Sequence, residues 1–223
     1  MGAALWTPPF KPVLSRMESQ ALDDLLDDMM RFDIPLNGIN GPEETAGSFA
    51  SAWKKRTGME PRVVMRMIIQ SLEHVNDLPS VEGIFRMALP PDIPWLIDWA
   101  TEFNEASGLG EPVDNRRIVT DYVTDKRLFY WENGGRPVSI AGFVGPTPGG
   151  VRLNLVFTPP VDRNRGFARA CVSSLSRYLL NKGTRACFLF SDRANPISNR
   201  VYARIGYHPV SDWIQYDFEP PGD

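Results

Sequence analysis

The sequence predicts an α/β protein in which helices flank a mixed central sheet, preceded by a partial α/β half. Strand-like and helix-like patterns alternate along the chain. Residues 150–158 alternate, are rich in branched and aromatic side chains, and end at two prolines, which cannot donate to a sheet ladder. Residues 186–190 form a short apolar run that is typical of a strand buried on both faces. Between these strands the spacing of four apolar residues predicts a helix with one buried face: Phe167, Cys171, Leu175 and Leu179.

The composition excludes several classes of protein. The chain has 223 residues, of which 43% are hydrophobic and 23% charged, as is ordinary for a soluble globular protein. Its net charge of −3 gives no sign of nucleic-acid binding. We see no signal peptide and no apolar run long enough to span a bilayer, so we expect a cytoplasmic protein without membrane contact. The two cysteines and two histidines form no metal-ligand cluster, so we expect no metal.

The first part of the chain predicts strands that alternate with helices. The stretch Met1–Phe10 begins as a strand and ends in Thr7-Pro8-Pro9. There follow a helix capped by Ser15 and ending near Arg31, a strand over Ile34–Ile39, a helix opened by Gly41-Pro42 and ending near Gly58, and a strand over Val63–Leu72. Four aspartates flank the apolar stripe of the first helix: Asp23, Asp24, Asp27 and Asp28. A solvated helix face explains them better than a metal site, because they match no calcium-loop spacing.

A turn at Asn76–Ser80 predicts a boundary between residues 1–78 and residues 79–223. The second part then continues with a strand over Gly83–Leu89, a helix from Pro90 to Gly108, a helix over Val113–Asp125, strands over Leu128–Trp131 and Pro137–Val144 joined by the hairpin turn Asn133-Gly134-Gly135, and the strand at 150–158.

Residues 163–168 combine arginine and glycine at the predicted start of a helix. The first N–H groups of a helix are unpaired, and the helix dipole is positive there. Gly166 and the small Ala168 let backbone approach a ligand, and three arginines add positive charge: Arg163, Arg165 and Arg169. The sequence therefore predicts an anion cradle suited to a pyrophosphate. It is neither a P-loop, which needs Gly-Lys-Ser/Thr, nor a dinucleotide fingerprint, which needs three spaced glycines.

A further helix follows the buried strand at 186–190. Asn195 is a suitable N-cap, Pro196 a suitable first residue, and Gly206 a suitable stop. This helix carries Ser198 and Tyr202, and a last strand follows it.

Taken together, these motifs resemble those of the GCN5-related N-acetyltransferases (GNAT). The resemblance rests on Thr158-Pro159-Pro160, Arg163-x-x-Gly166-x-Ala168, Asn195-Pro196 with Ser198 and Tyr202, and Ile205-Gly206-Tyr207 in this order. The loop matches the acyl-CoA signature of that family, which is Arg or Gln, two residues, Gly, one residue, and Gly or Ala. The match covers about residues 80–218, and the predicted order of elements from residue 83 is that of the GNAT core. The resemblance implies the GNAT fold, with a catalytic domain at 79–223.

The resemblance also implies acetyl-CoA as acyl donor and an amine as acceptor. The strand ending in Phe157-Thr158 would pair with the pantetheine arm and splay from the strand at 186–190 to open a slot. The residues implied in cofactor binding are Val156, Phe157, Thr158, Arg163, Asn164, Arg165, Gly166, Phe167, Ala168, Asn195 and Ser198.

Tyr202 matches the usual general acid of the family. An unperturbed phenol is protonated at neutral pH and can give a hydrogen bond or a proton to the departing sulfur. The alternative is a buried tyrosine whose hydroxyl only finds a structural partner. For the general base, Glu105, Glu132 and Asp192 fit equally well, so none is assigned.

The leading hypothesis for function is direct transfer of an acetyl group from acetyl-CoA to a primary amine of a small molecule or peptide. A non-catalytic acyl-CoA-binding or regulatory domain is one alternative. An aminoacyl or peptidyl transferase is another, since doubled GNAT-like folds also serve that chemistry. The acceptor and the oligomeric state stay open, and a homodimer is one outcome.

The N-terminal part carries a weak internal repeat. Thr7-Pro8-Pro9 repeats Thr158-Pro159-Pro160, and each is followed by a helix, a short strand and a helix opened next to a proline. No glycine and no arginine pair follow the first copy, and Pro12 lacks an N–H that a pyrophosphate would need. We therefore expect residues 1–78 to be a partial, degenerate GNAT-like half that is non-catalytic and binds no cofactor.

Overall fold

The structure is a computed structural model that describes residues 1–107 and 113–221, and it confirms the mixed α/β class. The strands of these residues are, in chain order, β1 (Ala4–Leu5), β2 (Val13–Leu14), β3 (Gly38–Pro42), β4 (Glu60–Leu72), β5 (Ile84–Met87), β6 (Leu128–Asn133), β7 (Arg136–Thr147), β8 (Gly150–Phe157), β9 (Cys187–Asp192) and β10 (His208–Glu219). The α-helices are α1 (Ser19–Arg31), α2 (Glu43–Thr57), α3 (Ile93–Ser107), α4 (Asn115–Thr124), α5 (Phe167–Asn181) and α6 (Pro196–Ile205).

The chain divides into two compact units. The first unit comprises Met1–Ile69, Asp192–Ala194 and the chain from Val210 onward, and the second comprises Gln70–Ser191 and Asn195–Pro209. The domain boundary between residues 78 and 79 stays a prediction.

In the first unit, strands are neighbours in the order β1, β2, β3, β10 and β4. β2 is parallel to β3, whereas β1 with β2 and β3 with β10 are antiparallel. The core holds the apolar stripe of α1 and the aromatic residues Phe49 and Trp53 of α2, which pack against Phe218 of β10. The ring centroids of Trp53 and Phe218 lie 5.9 Å apart. These buried rings fix α2 on the sheet.

The aspartates of α1 lie on an exposed face, as predicted. Asp23 and Asp27 form ion pairs with Arg56 of α2, and Asp24 accepts a hydrogen bond from Gln20. In the part of the chain that the structure describes, no group of three or more His, Cys, Asp or Glu residues could hold a metal ion. Within the same ranges, no helix is both long and apolar enough to cross a membrane.

In the second unit, strands are neighbours in the order β9, β8, β7, β6 and β5. β5 with β6, β6 with β7 and β7 with β8 are antiparallel, whereas β8 and β9 are parallel. Successive side chains of β6 point to opposite faces of the sheet. Leu128 packs in the core of α3 and α4, whereas Phe129 packs in the core of α5. Helices therefore cover both faces of this sheet.

β1 lies within the strand predicted to end at Thr7-Pro8-Pro9. It is short, because the chain turns at Thr7, where the carbonyl oxygen accepts a hydrogen bond from the N–H of Phe10. The cap predicted for α1 is wrong. Ser15 does not cap α1, since its Oγ instead accepts a hydrogen bond from the N–H of Ala3 at 2.9 Å. The N-cap is Glu18.

The strand predicted over Ile34–Ile39 is also displaced along the chain, to β3. Its register with β10, in which Asn40 pairs with Gln215, sets its bounds. That partner is remote in sequence, so the local pattern around Ile34 could not show it. The helix stop predicted at Gly108 lies outside the described residues.

Candidate functional site

β8 carries one extra residue relative to its partner β7. Ile140 pairs with Phe157, whereas Gly142 pairs with Asn154, so three steps along β8 match two along β7. Leu155 has a φ of 48°, in the left-handed region that a bulky residue rarely adopts. This is a β-bulge, which leaves one residue of the strand outside the ladder.

The bulge changes the phase of side-chain alternation along β8. Val151 and Leu153 pack in the core of α5, whereas Leu155 and Phe157 pack in the core of α3 and α4. Val156 packs at the edge of the α5 core. The end of β8 therefore presents an irregular backbone, next to the loop that precedes α5.

β8 and β9 are joined only at one end. Val151 pairs with Cys187 and Arg152 with Phe188, and the described ladder between these strands contains no further pair. At this closed end, a Cβ on Gly150 would lie 2.1 Å from the carbonyl oxygen of Ala186, so only glycine permits the approach. The strands splay beyond it, as the resemblance implied, and the β9-facing backbone of the rest of β8 has no ladder partner there.

The loop before α5 turns sharply at two left-handed residues. Asn164 has a φ of 63° and Gly166 a φ of 83°. α5 begins at Phe167, and no side chain caps its N-terminus, so its first N–H groups are unpaired by the helix. Backbone N–H groups that converge in such a turn form an anion-binding nest. A Cβ on Gly166 would lie 3.3 Å from Cγ2 of Val81, so glycine provides both the φ and the space.

Two of the three arginines predicted to add charge donate to backbone carbonyl groups. Arg163 is exposed and donates from Nε to the carbonyl oxygen of Thr158 at 3.0 Å. Arg169 donates to the carbonyl oxygen of Pro79 at 3.3 Å. Each guanidinium group has further N–H donors, because arginine carries five.

Asp162 is the buried charge of this loop. Its side chain is 1% exposed, and its two oxygens accept hydrogen bonds from Arg136 at 2.7 and 2.6 Å. Arg165 approaches the same carboxylate at 3.4 Å and lies 4.7 Å from the centroid of the Phe167 ring. The hydrogen bonds from Arg136 hold the pKa of Asp162 below its ordinary value, although burial acts in the opposite direction.

α6 begins and ends as predicted. Asn195 Oδ1 accepts a hydrogen bond from the N–H of Ser198 at 3.1 Å, and Pro196 is the first helical residue. Gly206 ends the helix in a left-handed conformation. The cap fixes the start of the helix two turns before Tyr202.

Tyr202 is buried, with 9% of its surface exposed, and its ring meets that of Tyr207 edge-on at 5.9 Å. Burial raises the pKa of Tyr202 to about 12. Its hydroxyl makes no hydrogen bond with any residue that the structure describes. The hydroxyl of Tyr207, by contrast, lies 2.8 Å from Oγ of Ser176.

The structure brings several of the residues predicted to form the site into one core. Val156, Phe167 and Tyr202 belong to the core of α5, so the end of β8, the start of α5 and the middle of α6 share it. Phe157 lies on the opposite face of the sheet, against Trp99 at 5.9 Å between ring centroids. The remaining predicted residues lie in the loops and first helical turns: Thr158, Arg163, Asn164, Arg165, Gly166, Ala168, Asn195 and Ser198.

The carboxylates weighed as general base have different environments. Glu132 accepts a hydrogen bond from Arg86 at 2.9 Å, and Asp192 accepts one from the N–H of Ala194 at 2.8 Å. Glu105 is exposed on α3. None of them is assigned as base.

Sequence reasoning missed the part that β7 plays at this site. Ser139 is fully buried, and its Oγ donates to the carbonyl oxygen of Phe157 at 3.2 Å and lies 2.9 Å from Oγ1 of Thr158. Arg136 holds Asp162 from the same strand. Neither residue carries a local signal, because its partner lies in a segment that only the hairpin of β7 and β8 brings close.

The chain is similar to a known protein family and to several solved structures. Residues 137–214 match the family model described as FR47-like protein, and no curated protein matches the sequence. A GNAT-family acetyltransferase from Colwellia psychrerythraea is similar with a TM-score of 0.65 at 14% identity, over 92% of this chain and 75% of that one. A GCN5-related N-acetyltransferase from Sphaerobacter thermophilus is similar with a TM-score of 0.67 at 16% identity, over 100% of this chain and 77% of that one. A GCN5-related N-acetyltransferase from Kribbella flavida is similar with a TM-score of 0.56 at 16% identity, over 96% of this chain and 82% of that one.

The chain has the GNAT fold. The fold that the resemblance implied is thereby confirmed, and the segment that matches the family model contains the loop at 163–168, β9 and α6. At these identities the likeness establishes the fold, and the chemistry of this GNAT-fold chain depends on the residues of its site.

Proposed function

We propose that the protein transfers an acetyl group from acetyl-CoA directly to a primary amine of a small molecule or peptide. The observation that carries the proposal is the coincidence of three features in one unit. These are the splayed edge of β8, the glycine-containing nest at the start of α5, and a tyrosine hydroxyl on α6 without a partner among the described residues.

The nest at 163–168 fits the pyrophosphate of acetyl-CoA. Its N–H groups lie at the positive end of a 15-residue helix. Gly166 has no side chain to block backbone approach, and Arg163 is exposed beside it. In this proposal the loop binds the diphosphate, and Asn195 and Ser198 on the next helix contact the remainder of the cofactor.

The splayed edge of β8 fits the pantetheine arm. Amide groups of that arm can pair with an extended backbone in the way an added strand does. The residues proposed to offer this backbone are Val156, Phe157 and Thr158, which directly follow the bulge at Leu155.

Tyr202 is proposed as the general acid for the departing thiolate. Its pKa of about 12 keeps the hydroxyl protonated at neutral pH, so it can donate.

A release assay tests the proposal directly. Acetyl-CoA is incubated with the protein and a panel of antibiotics, polyamines, amino acids and peptides with free N-termini, and free thiol is measured. We expect acceptor-dependent release of CoA with at least one class of amine. Binding of CoA without thiol release across the panel would instead support the non-catalytic alternative.

The loop is tested by Gly166→Trp, for which we expect CoA affinity to fall at least about tenfold because a bulky side chain fills the nest. Gly183→Trp is the matched control. Gly183 has a φ of 89° with nothing within 4 Å of an added Cβ, so it shares the backbone strain without facing the nest. Equal CoA affinity of the two folded variants by calorimetry would contradict the proposed site.

A further inference from the structure

Arg136 is the first residue of β7 and joins this strand to the loop that precedes α5. It binds Asp162 through both guanidinium nitrogens, at 2.7 and 2.6 Å. This paired geometry fixes orientation as well as distance, because a planar guanidinium matches a carboxylate at two points. The carboxylate is 1% exposed, so it is shielded from water while Arg136 and Arg165 reach it from the surface.

Asp162 lies directly before the nest and is itself held in a turn. Its N–H donates to the carbonyl oxygen of Pro159 at 2.9 Å, in a short 3₁₀ helix over Pro160–Asp162. Ser139, three residues along β7 from Arg136, holds the preceding residues Phe157 and Thr158. The start of β7 thus anchors the chain on the way from β8 to the nest.

Arg163 and Arg165 differ in their contacts, because Arg165 binds the Asp162 carboxylate and Arg163 does not. Arg165 is held by Asp162 and by the face of the Phe167 ring. Arg163 makes one hydrogen bond through Nε, to the carbonyl oxygen of Thr158. Arg163 is therefore the cation of this loop better placed for a phosphate, and Arg165 acts with Asp162 on the shape of the loop.

We propose that Arg136 is a positioning residue for acyl-CoA binding, which acts through Asp162 to hold loop 163–168 in its anion-binding shape. The inference rests on the proposed function. Without Arg136, Asp162 would be a buried carboxylate with only the longer contact from Arg165, and the loop would have to rearrange to solvate it or pair it with Arg163. Either rearrangement disturbs the nest.

The test is CoA binding to the full chain by calorimetry, with acetyl-CoA kinetics once an acceptor is known. We expect Arg136→Met to raise the Kd for CoA and the KM for acetyl-CoA about tenfold while kcat at saturation stays near the wild-type value. Arg136→Lys keeps the charge but not the two-point contact, so its affinity for CoA should lie between that of the wild type and that of Arg136→Met. Hydrogen exchange of the amides at 163–169 should be faster in Arg136→Met.

Arg86→Met is the matched control, since Arg86 is about as exposed as Arg136 but forms its ion pair with Glu132 on β6 instead of with the loop. We expect it to bind CoA like the wild type. Asp162→Asn keeps the shape of the side chain and replaces Arg136→Met if that variant does not fold. The double variant Arg136→Met/Asp162→Asn should bind no more weakly than the weaker single variant, because both act through one contact.

Wild-type CoA affinity in folded Arg136→Met and Asp162→Asn would overturn the positioning role and leave the proposed function standing. If the wild-type protein itself binds no CoA, the proposed function fails and the positioning role fails with it. A fall in kcat equal to the loss of affinity would also contradict the role, because a positioning residue for the donor acts on KM.

Discussion

Tyr202 and Tyr207 lie in one core, yet only the hydroxyl of Tyr207 has a hydrogen-bond partner among the described residues. This difference bears on the two interpretations of Tyr202. A structural hydroxyl would have a partner, as Tyr207 has in Ser176. The Tyr202 hydroxyl has no such partner within the described chain, so it is available to a substrate.

The pair allows a controlled substitution experiment. We expect Tyr202→Phe to lower kcat by roughly 10²-fold or more with little change in KM for acetyl-CoA, because the ring stays and only the proton donor is lost. Tyr207→Phe removes the hydroxyl paired with Ser176, which should cost about 1 kcal/mol of stability and leave kcat nearly unchanged. Nearly full turnover of Tyr202→Phe, when chemistry limits the rate, would make its hydroxyl structural.

The same two tyrosines predict a pH dependence of stability. Burial raises the pKa of Tyr202 to about 12 from 10.0, and it raises the pKa of Tyr207 well above 10.0. The folded chain then keeps protons that the unfolded chain releases above pH 10. The contribution of these protonated hydroxyl groups to the free energy of unfolding is therefore complete below about pH 10 and is lost as pH rises toward 12. Denaturant unfolding between pH 8 and 11 should show a smaller loss for Tyr202→Phe than for the wild type, and identical profiles would contradict this.

Residues with a local signal were found in the sequence, and residues defined by a distant partner were not. Gly166 stands out because glycine beside arginines at a helix start is typical of an anion-binding loop. Arg136 and Asp162 look like ordinary surface charges until the hairpin brings them together. The positive φ of Leu155 likewise follows from the register of two strands rather than from its own identity.

At the scale of elements, the sequence predicted the end of α2 and both ends of α6 well, but it misplaced the starts of α1 and β3. Gly58, Asn195 and Gly206 end or begin helices where expected, because capping is a local interaction. β3 begins four residues later than predicted, since its length depends on pairing with β10.

The cap of α6 gives a prediction at this scale. Asn195→Ala removes the hydrogen bond to the N–H of Ser198, which should cost about 1 kcal/mol of stability. Because α6 carries Tyr202, we also expect a lower kcat/KM for acetyl-CoA. Asp114→Ala is the control, since Asp114 caps α4 in the same way through the N–H of Arg117 at 3.0 Å. Equal effects of the two variants on kcat/KM would show that the cap of α6 has no special part in the site.

At the scale of the whole molecule, the N-termini of α5 in the second unit and α1 in the first unit differ in what they offer to an anion. α5 begins after a glycine nest with an exposed arginine. α1 begins after Glu18, whose carboxylate would repel a phosphate, and no glycine precedes it in the turn. Lys11, in the segment that precedes α1, is paired with Asp217 at 3.0 Å.

We therefore predict one acetyl-CoA per chain, bound within residues 150–207. Calorimetric titration of the full chain with CoA should give a stoichiometry of one, and Gly166→Trp should weaken that single transition at least about tenfold. The variant Glu18→Gln removes the repelling charge at α1 and should leave the stoichiometry at one, because the segment still lacks a glycine nest and Pro12 offers no N–H. Two transitions in the wild type, or one that keeps wild-type affinity in a folded Gly166→Trp variant, would place a binding site outside the GNAT motifs and contradict the view of residues 1–78 as a half without cofactor.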